Sequence, residues 1–427
     1  MEVYKKGVVA SMLLEFSCAN HKSIKNKVMF SAMAGKDSVD EHLMYHNGST
    51  RVLKTGVIYG ANGSGKSNLI DAINFTQWLV LNSISNQPGQ GIPHCPHKLS
   101  AADDESTYSL QFIRNGIRYA FGFSIRRSLV VDEYLYYFPK TRQTKIYERS
   151  ESGFQAGDKF RGKFDTVKDV LKPNRLFLSC AANFSMVPEI GEVFAFFRDD
   201  LVIYRGLGFD NWMNYSLHVM NDVPEVKTLV LEFLNNLGTG IKDIHIRIDK
   251  KSMDLTDFPP FLSDEFKAQL MKNTEQITAK VVYKDFSVDL MTEESTGIRK
   301  LFEFICPLID IMARGKVLIC DELENNIHEA AVYGIVDWFK HAETPAFAQM
   351  FFTTHDTSLL NLDLFRRDQI WFTEMEQDSR STQLYSLAEI KNVRKDENIG
   401  KGYISGKYGA IPMLNQTLIH SFDNVVQ

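Results

Sequence analysis

Cysteine is scarce in this sequence of 427 residues, and the few cysteines lie far apart. They are Cys18, Cys95, Cys180, Cys306 and Cys320, an odd number at irregular spacing. Small secreted proteins that depend on disulfides carry paired, closely spaced cysteines, whereas a reducing compartment keeps scattered thiols free. The sequence therefore excludes a disulfide framework and predicts a cytoplasmic protein.

Long hydrophobic runs and a strong charge imbalance are also missing. The apolar stretch 301–312 contains Glu303, Pro307 and Asp310, and it is shorter than the about 20 residues that cross a bilayer. Near the N-terminus, Glu15 interrupts a short apolar run, which argues against a secretory signal. We expect no contact with a membrane.

The 48 basic and 53 acidic residues give a net charge of −5, so binding to nucleic acid would need a local basic patch.

What is present is the composition of a large globular protein, with 44% hydrophobic and 24% charged residues. The β-rich run 57–59 is followed by a glycine-rich loop and then by Leu69, Ile70 and Ile73 at helical spacing. From residue 277 onward, strand-like runs again alternate with helical patterns. This alternation predicts an α/β fold with a mainly parallel, covered sheet.

A different pattern occupies the region after residue 81. Apolar residues alternate from Tyr108 through Asn115-Gly116 to Phe123, which predicts a hairpin with a tight primed turn. Between about 165 and 240 the apolar spacing becomes helical. The sequence therefore predicts an antiparallel β subdomain followed by a helical insertion.

The glycine-rich loop carries the strongest motif in the chain. Residues 60–67 read GANGSGKS, which matches the phosphate-binding pattern G-x-x-x-x-G-K-[ST], and the loop lies between a predicted strand and a predicted helix. Such a loop directs backbone N–H groups and a helix N-terminus at phosphates, while its lysine reaches the β- and γ-phosphates and its hydroxyl binds Mg²⁺. The alternative is a simple glycine-rich turn. The candidate ligands of the nucleotide are Gly60, Asn62, Gly63, Gly65, Lys66, Ser67 and Asn68.

Acidic residues end a second apolar run. Residues 316–320 are followed by Asp321 and Glu322, and acids are tolerated at the carboxyl edge of a buried parallel strand, where ligands bind. We predict that Asp321 binds Mg²⁺ with Ser67, and that Glu322 is the general base for an attacking water. Taken alone, the same pattern describes a strand that leaves the core.

Two further elements are compatible with a phosphate site. His355 follows the apolar run 347–354, where it could contact a γ-phosphate or be a structural histidine. Ser295 and Gly297 precede an apolar-periodic helix whose N-terminus could bind a phosphate. A plain N-cap would give the same sequence pattern.

These four elements resemble those of the ATPase heads of ABC, SMC and OLD-like proteins, both in kind and in their order along the chain. The order is the phosphate loop, the Ser-x-Gly helix start, the acidic strand end and His355. The segments 321–328 (DELENNIH) and 353–356 (TTHD) look like those of AAA family ATPases of the OLD and abortive-infection group, many of which are linked to anti-phage defence or restriction. The segments 20–24, 365–371 and 406–412 also resemble that group.

The resemblance implies a P-loop NTPase fold with an ABC-type head, with ATP and Mg²⁺ as cofactors. Lys66, Ser67, Asp321, Glu322 and His355 would form one half of the site. In such heads the Ser-x-Gly loop completes the site of a partner subunit, so Ser295 and Gly297 would act in trans in an ATP-bridged homodimer.

Lys66 and Asp321 must meet at one nucleotide although they lie far apart in the chain. We therefore predict one split ATPase core, formed by residues 1–80 and 277–427. The antiparallel β subdomain would comprise residues 81–165 and the helical insertion residues 166–276.

OLD-type relatives carry a Toprim nuclease, which needs a Glu and an Asp-x-Asp pair to bind two metals. The sequence contains no Asp-x-Asp, and too few residues follow His355 for a nuclease domain of about 100 residues. We therefore expect an ATPase that controls a separately encoded effector, in anti-phage defence. The alternatives are a DNA-maintenance ATPase of the SMC or RecF type that binds DNA directly, and a small-molecule phosphotransferase.

Overall fold

The computed structural model describes residues 11–36, 44–47, 50–140, 142–206, 212–250, 275–344, 346–394 and 397–411. These residues divide into two compact units. The first unit comprises the described residues within 1–205, 311–323 and 336–427, and the second those within 206–310 and 324–335. Each unit is described by itself.

Eighteen strands are found among the described residues. They are β1 (Ser11–Ala19), β2 (Val28–Ser31), β3 (Tyr45–Asn47), β4 (Thr50–Val52), β5 (Thr55–Gly60), β6 (Ser106–Arg114), β7 (Ile117–Arg126), β8 (Leu129–Phe138), β9 (Thr144–Ser150), β10 (Gly153–Ala156), β11 (Leu201–Tyr204), β12 (Asp243–Lys250), β13 (Glu275–Val282), β14 (Ser287–Asp289), β15 (Val317–Cys320), β16 (Gln349–Thr353), β17 (Ile370–Met375) and β18 (Thr382–Ser386).

The α-helices of the described residues are α1 (Lys66–Asn82), α2 (Asp165–Lys168), α3 (Phe177–Phe184), α4 (Pro188–Ala195), α5 (Trp212–Asp222), α6 (Pro224–Asn236), α7 (Thr296–Arg314), α8 (Glu329–His341) and α9 (Ile399–Ile404). None of the described helices is both long enough and apolar enough to cross a membrane.

The first unit contains a six-stranded sheet in the order β11-β15-β16-β5-β17-β18. Neighbouring strands are parallel except for the last pair, β17 and β18. The central strands β5, β15 and β16 are buried along their whole length, as expected for parallel strands covered on both faces. Because the strands are parallel, their carboxyl ends meet at one edge of the sheet.

A seven-stranded antiparallel sheet, in the order β10-β9-β8-β7-β6-β1-β2, forms the other layer of this unit. Alternate residues of β6 are buried, and Asn115 and Gly116 join β6 to β7 with φ values of 52° and 74°. Two positive φ values in a two-residue loop are typical of the predicted primed turn. Phe30 of β2 packs against Phe351 and Trp371, with ring centroids 5.1 Å and 5.2 Å apart, so the two sheets share one hydrophobic core.

The second unit contains α5, α6, the start of α7 and the antiparallel sheet β12-β13-β14. The Ser216 hydroxyl on α5 donates a 2.9 Å hydrogen bond to the Glu303 carbonyl of α7, and the ring centroids of Trp212 and Phe304 lie 5.8 Å apart. These contacts hold α5 against α7.

The predicted α/β class, with a mainly parallel sheet and an antiparallel sheet, is confirmed. The two sheets of the first unit, however, do not follow the boundaries of the three predicted segments. β1 and β2 come from residues 1–80 but lie in the antiparallel sheet, and β11 comes from residues 166–276 but lies in the parallel sheet. Residues 207–211 and 251–274 of the predicted helical insertion lie outside the described residues.

Candidate functional site

The phosphate-loop motif lies where the sequence predicts it, between the buried strand β5 and α1. Gly65 immediately precedes α1 with φ of 105°. A Cβ atom on Gly65 would lie 2.0 Å from Oγ1 of Thr382, and one on Gly60 would lie 2.3 Å from Oγ1 of Thr373. Only glycine combines this backbone conformation with such a close approach.

Lys66, the first residue of α1, is buried, and its side chain turns back over the loop. Its Nζ donates hydrogen bonds to the carbonyl oxygens of Gly60, at 2.8 Å, and Ala61, at 3.3 Å. The next residue, Ser67, is exposed, as are Asn62 and Gly63 in the loop. The loop therefore presents an ammonium group, a hydroxyl and a helix N-terminus, which are the groups that bind phosphates and their cation.

The register of the parallel strands brings the acidic strand end to the same edge. Cys320 pairs with Phe352, and Thr353 pairs with Ile58, two residues before the loop begins. The Thr353 hydroxyl donates a 2.6 Å hydrogen bond to Oδ1 of Asp321. One strand, β16, thus separates β15, which Asp321 directly follows, from the strand that leads into the phosphate loop.

Glu322 is exposed and has a left-handed backbone conformation, with φ of 49°. Its N–H donates a 2.7 Å hydrogen bond to Oγ1 of Thr353, and the N–H of Leu323 donates to the Thr353 carbonyl at 3.1 Å. A non-glycine residue at positive φ is uncommon and has to be held by its surroundings. Thr353 supplies that constraint, so it orients both predicted acidic residues.

His355 is exposed and follows β16 at the same edge. The next residue, Asp356, caps a short 3₁₀ turn by accepting a hydrogen bond from the Ser358 N–H at 2.9 Å. The Tyr59 hydroxyl, at the end of β5, donates to the Asp356 carbonyl at 3.0 Å. The segment that carries His355 is therefore fastened to the strand that carries the phosphate loop.

Polar groups from distant segments line the base of the loop. The hydroxyls of Ser64 and Thr373 lie 2.6 Å apart, and Thr382 donates to the Ser64 carbonyl at 2.9 Å. Ser23 contacts both Thr382 and Asn68: its hydroxyl lies 2.7 Å from that of Thr382 and accepts a 2.6 Å hydrogen bond from Asn68 Nδ2. Asn68, a predicted nucleotide ligand, is thus also a support of the loop.

An ion-pair network anchors the next turn of α1. Asp71 contacts Nζ of Lys22 at 2.7 Å and Nε2 of His21 at 2.9 Å, and the other ring nitrogen of His21 lies 2.8 Å from the Tyr108 hydroxyl. Burial raises the pKa of Asp71, but the hydrogen bonds from His21 and Lys22 outweigh it and lower the pKa to about 2. Asp71 is therefore a carboxylate at neutral pH.

The C-terminal segment closes the other side of the loop. The Ala61 N–H donates a 2.9 Å hydrogen bond to the Ala410 carbonyl, and the ring of Tyr403 stacks on Phe372 at 5.6 Å. A cavity of about 410 Å³ lies here, bordered by residues 61–64, 373–377 and 410–411. Of the tail segment that resembles the OLD and abortive-infection group, Pro412 lies outside the described residues.

The Ser-x-Gly element belongs to the second unit. The Ser295 hydroxyl accepts a 3.2 Å hydrogen bond from the Ile298 N–H and so acts as an N-cap of α7. A Cβ atom on Gly297 would lie 2.6 Å from the Asn326 carbonyl oxygen. Lys300 is buried and donates a 2.8 Å hydrogen bond to the Asn325 carbonyl. The helix start is thus packed against the segment that follows the acidic residues in sequence.

The phosphate-binding and metal-binding groups of the first unit fit a nucleoside triphosphate with Mg²⁺. Mg²⁺ that is bound together with phosphates needs only one or two protein oxygens, and Ser67 and Asp321 supply a hydroxyl and a carboxylate. In the described part of the chain, no group of three or more His, Cys, Asp or Glu side chains is arranged to hold a metal ion.

Sequence reasoning did not identify Thr353, Thr373 and Thr382 as supports of the site. Thr353 belongs to the segment 353–356 (TTHD), which was recognised only because it resembles the OLD and abortive-infection group. Ser23 lies in segment 20–24 and Ala410 in segment 406–412. The same resemblance therefore indicated both regions, but it did not indicate which contacts they make.

A comparison with known families finds a match over two long segments of the chain. The family described as "AAA domain, putative AbiEii toxin, Type IV TA system" matches residues 57–176 and 239–361, which together make up more than half of the chain. The first matched segment contains the phosphate loop, and the second contains Ser295, Asp321, Glu322 and His355. A comparison with curated proteins finds no match.

Among solved structures, the chain is similar to an SMC head bound to the C-terminal winged-helix domain of ScpA, with 14% identity, a TM-score of 0.43, and coverage of 88% of this chain and 97% of that chain. It is also similar to the SMC head domain from Thermotoga maritima, with 12% identity, a TM-score of 0.39, and coverage of 88% and 98%. A third similar structure is the Smc head with an extended coiled coil bound to the C-terminal domain of ScpA derived from Pyrococcus furiosus, with 12% identity, a TM-score of 0.38, and coverage of 88% and 96%.

Proposed function

Because this chain belongs to the AAA domain family that is described with the AbiEii toxin, we propose that it binds ATP with Mg²⁺ at the loop 60–67 and hydrolyses it. The observation that carries the proposal is the common sheet edge, where the phosphate loop, Asp321 and His355 follow neighbouring parallel strands. This is the edge at which ligands bind in open α/β sheets.

In this proposal the backbone N–H groups of the loop and the ammonium of Lys66 hold the phosphates. Lys66 exchanges its two carbonyl acceptors in the loop for phosphate oxygens, which are stronger acceptors because they are charged. Ser67 and Asp321 would hold Mg²⁺, which would supply positive charge to offset the charge of the phosphates. The Thr353 hydroxyl keeps the Asp321 carboxylate oriented.

Hydrolysis requires a group that takes a proton from the attacking water. The exposed side chain of Glu322 follows Asp321 directly, and its carboxylate would accept that proton as the water oxygen bonds to the γ-phosphorus and the bond to ADP breaks. His355 would donate a hydrogen bond to the γ-phosphate from the neighbouring strand. A neutral or protonated imidazole can make this bond.

We further propose that two copies of the chain share two ATP molecules, with Ser295 and Gly297 of one copy completing the site of the other. The support is the fit of a helix N-terminus to a phosphate. The Ser295 hydroxyl would then exchange its N-cap hydrogen bond for a phosphate contact. Closing around ATP and opening after hydrolysis would change the surface that a partner protein meets.

The decisive variants separate binding, hydrolysis and sharing. Glu322→Gln keeps the size of the side chain but removes the base, so we expect it to bind ATP, to lose turnover and to accumulate as a dimer in size-exclusion chromatography with light scattering. Full turnover of this variant would refute the role of Glu322.

A mixing experiment tests whether the site is shared. Lys66→Ala should lose binding in its own loop, and Ser295→Arg should block the site of the partner. A mixed dimer of the two variants retains one intact composite site, so the mixture should recover part of the turnover that each variant lacks. No recovery would argue against sharing in trans.

For the biological role, we propose control of a separately encoded effector in anti-phage defence. The family description, which refers to a toxin–antitoxin system, supports this direction. The test is to co-express the chain with the products of its neighbouring genes, to identify a protein that co-purifies in an ATP-dependent manner, and to measure phage plating with wild type and with Glu322→Gln. Unchanged plating in both strains would refute the defence role.

A further inference from the structure

A basic cavity lies at the β10 edge of the antiparallel sheet. It has a volume of about 820 Å³ and is lined by residues 139–140, 142–145, 155–159 and 161. Five lining residues are basic and one, Asp158, is acidic. The basic residues are Lys140, Arg142, Lys145, Lys159 and Arg161. This concentration of positive charge contrasts with the net charge of −5 of the whole chain.

Two separate segments contribute these charges. Lys140 and Arg142 lie in the turn between β8 and β9, and Lys159 and Arg161 follow β10. The Gly157 N–H donates a 2.9 Å hydrogen bond to the carbonyl of Ile146 on β9, which fixes the second segment beside the first. The cavity is therefore built by the sheet edge and does not depend on one long side chain.

The existing ion pairs neutralise only part of this charge. Lys145 contacts Glu148 at 2.7 Å, and Arg161 contacts Asp158 at 2.6 Å. Lys140, Arg142 and Lys159 are exposed, and the Lys159 ammonium lies over the face of the Tyr137 ring, 6.0 Å from its centroid. Three cations are thus available to a ligand at one end of the sheet.

From this geometry we propose that the basic cleft, defined as the cavity lined by residues 139–140, 142–145, 155–159 and 161, binds the phosphate backbone of nucleic acid. Several separated cations around an open groove are what a polyanion recognises, and each contacted phosphate releases bound counterions. A protein partner would need an apolar anchor at the centre of the interface. None of the exposed large hydrophobic side chains of the described residues lines this cleft.

The proposal is independent of the proposed ATP hydrolysis. The cleft lies at the β10 edge of the antiparallel sheet, whereas β2, at the opposite edge, packs against the strands of the nucleotide site. Substitutions in the cleft should therefore leave basal ATP turnover unchanged. Nucleic-acid binding and ATP hydrolysis can fail separately.

The test uses the full chain and compares two variants of equal charge. The cleft variant carries Lys140→Gln, Arg142→Gln and Lys159→Gln. The control variant carries Lys172→Gln, Arg198→Gln and Lys391→Gln, at exposed positions outside the cleft. Fluorescence anisotropy with labelled duplex DNA and labelled single-stranded DNA gives the affinity over a range of salt concentrations, and ATP turnover without DNA is measured in parallel.

We expect the wild-type chain to bind with an affinity that falls steeply with salt. The slope of the logarithm of affinity against the logarithm of salt concentration changes by about 0.9 per contacted phosphate of duplex DNA, and by about 0.7 for single strands. Because the cleft variant lacks three cations, this slope should become shallower by about two to three units. Its affinity should fall about tenfold or more. The control variant should retain most of both. The wild-type affinities at the same salt concentration identify whether duplex or single strand is the preferred ligand.

Three results would overturn the proposal. They are the absence of salt-dependent binding by the wild-type chain, equal losses in the cleft and control variants, and equally effective competition by polyglutamate or by inorganic phosphate at the same concentration of charged groups. The last result would indicate an acidic peptide or a small anion as the ligand.

Discussion

The hydroxyl of Thr353, the last residue of β16, donates a 2.6 Å hydrogen bond to Oδ1 of Asp321, which directly follows β15. The same hydroxyl accepts the N–H of Glu322, which has a positive φ. One side chain of the neighbouring strand thus fixes both the candidate metal ligand and the candidate base. The position of the acidic pair depends on β16 as well as on its own strand.

Replacing Thr353 with Val should therefore impair turnover more than binding. Valine has nearly the same shape but cannot bond to Asp321 or to the Glu322 N–H, and an unsatisfied group of this kind costs about 1–3 kcal/mol. We expect kcat to fall about tenfold or more, while the Kd for ATP in the absence of turnover changes far less. Thr353→Ser keeps the hydroxyl and should restore most of kcat. Wild-type kcat in the valine variant would contradict the positioning role.

Gly65→Ala should abolish nucleotide binding. The new Cβ would lie 2.0 Å from Oγ1 of Thr382 at a φ of 105°, so the loop or β18 must move. Gly191→Ala is the matched control, because a Cβ there meets no atom within 4 Å and lies inside α4, where alanine is favoured over glycine. Isothermal titration with ATP should show binding only in the control. Binding of wild-type affinity by Gly65→Ala would show that the loop can adopt another conformation.

Local motifs were sufficient to predict several parts of the site. The strand, loop and helix around residues 60–67 are contiguous, so a short pattern fixes both the residue types and their order. The place of Asp321 and Glu322 directly after a buried strand was predictable because unpaired acids are costly inside such a strand; their roles in catalysis remain predictions. Asn115-Gly116 likewise predicted its turn, since few residue pairs adopt two positive φ values.

The remaining parts depend on contacts between distant segments. Ser23 meets Thr382 across 359 positions of the chain, and serine and threonine occur too widely for such a pair to be recognised in one sequence. The short strand β11 lies within a region of helical spacing, and four residues are too few to establish a period of two. Its place in the parallel sheet comes from its pairing with β15.

The ion pair of Asp71 with Lys22, together with the hydrogen bond from His21, should make stability depend on acid pH. The pKa of Asp71 is about 2 in the folded chain, below the ordinary value of 3.8. A carboxyl group with a lowered pKa stabilises the fold above its unfolded pKa, and this contribution is lost as pH falls from about 4 towards 2.

Asp71→Asn should therefore lower the free energy of unfolding by about 1–2 kcal/mol at neutral pH, after allowance for its partial exposure to solvent. The difference from wild type should shrink below pH 4. Urea unfolding at several pH values measures both effects, with Asp165→Asn as a control because its ion pair with Lys168 is exposed on both sides. A difference that is constant with pH would contradict the assignment.

One cysteine should react in the native chain. Cys95 is exposed, while the other four are buried. Burial also raises the pKa of Cys180 to about 11 and that of Cys306 to about 12, so these thiols form little of the reactive thiolate. A thiol reagent should modify one equivalent rapidly and all five after denaturation, and Cys95→Ser should remove the rapid phase. A rapid phase that persists in this variant would show that a buried thiol becomes accessible.

Lys300 offers a test of the contact between the start of α7 and the segment after the acidic pair. Its buried ammonium donates to the carbonyl of Asn325, three residues after Glu322. Lys300→Met fills the same space but leaves that carbonyl without its donor, which should cost about 1–3 kcal/mol of stability. Because residue 325 is close to Glu322 in the chain, turnover per folded molecule should fall as well.

The control for this variant is Lys340→Met. Lys340 is also buried and donates a 2.8 Å hydrogen bond to a carbonyl, that of Leu364, far in sequence from the acidic pair. Both variants should unfold at lower urea concentration than wild type. Only Lys300→Met should lower kcat when rates are normalised to the folded fraction measured by circular dichroism. If the two variants lose stability equally and both keep the wild-type kcat, the Lys300 contact stabilises the fold without affecting hydrolysis.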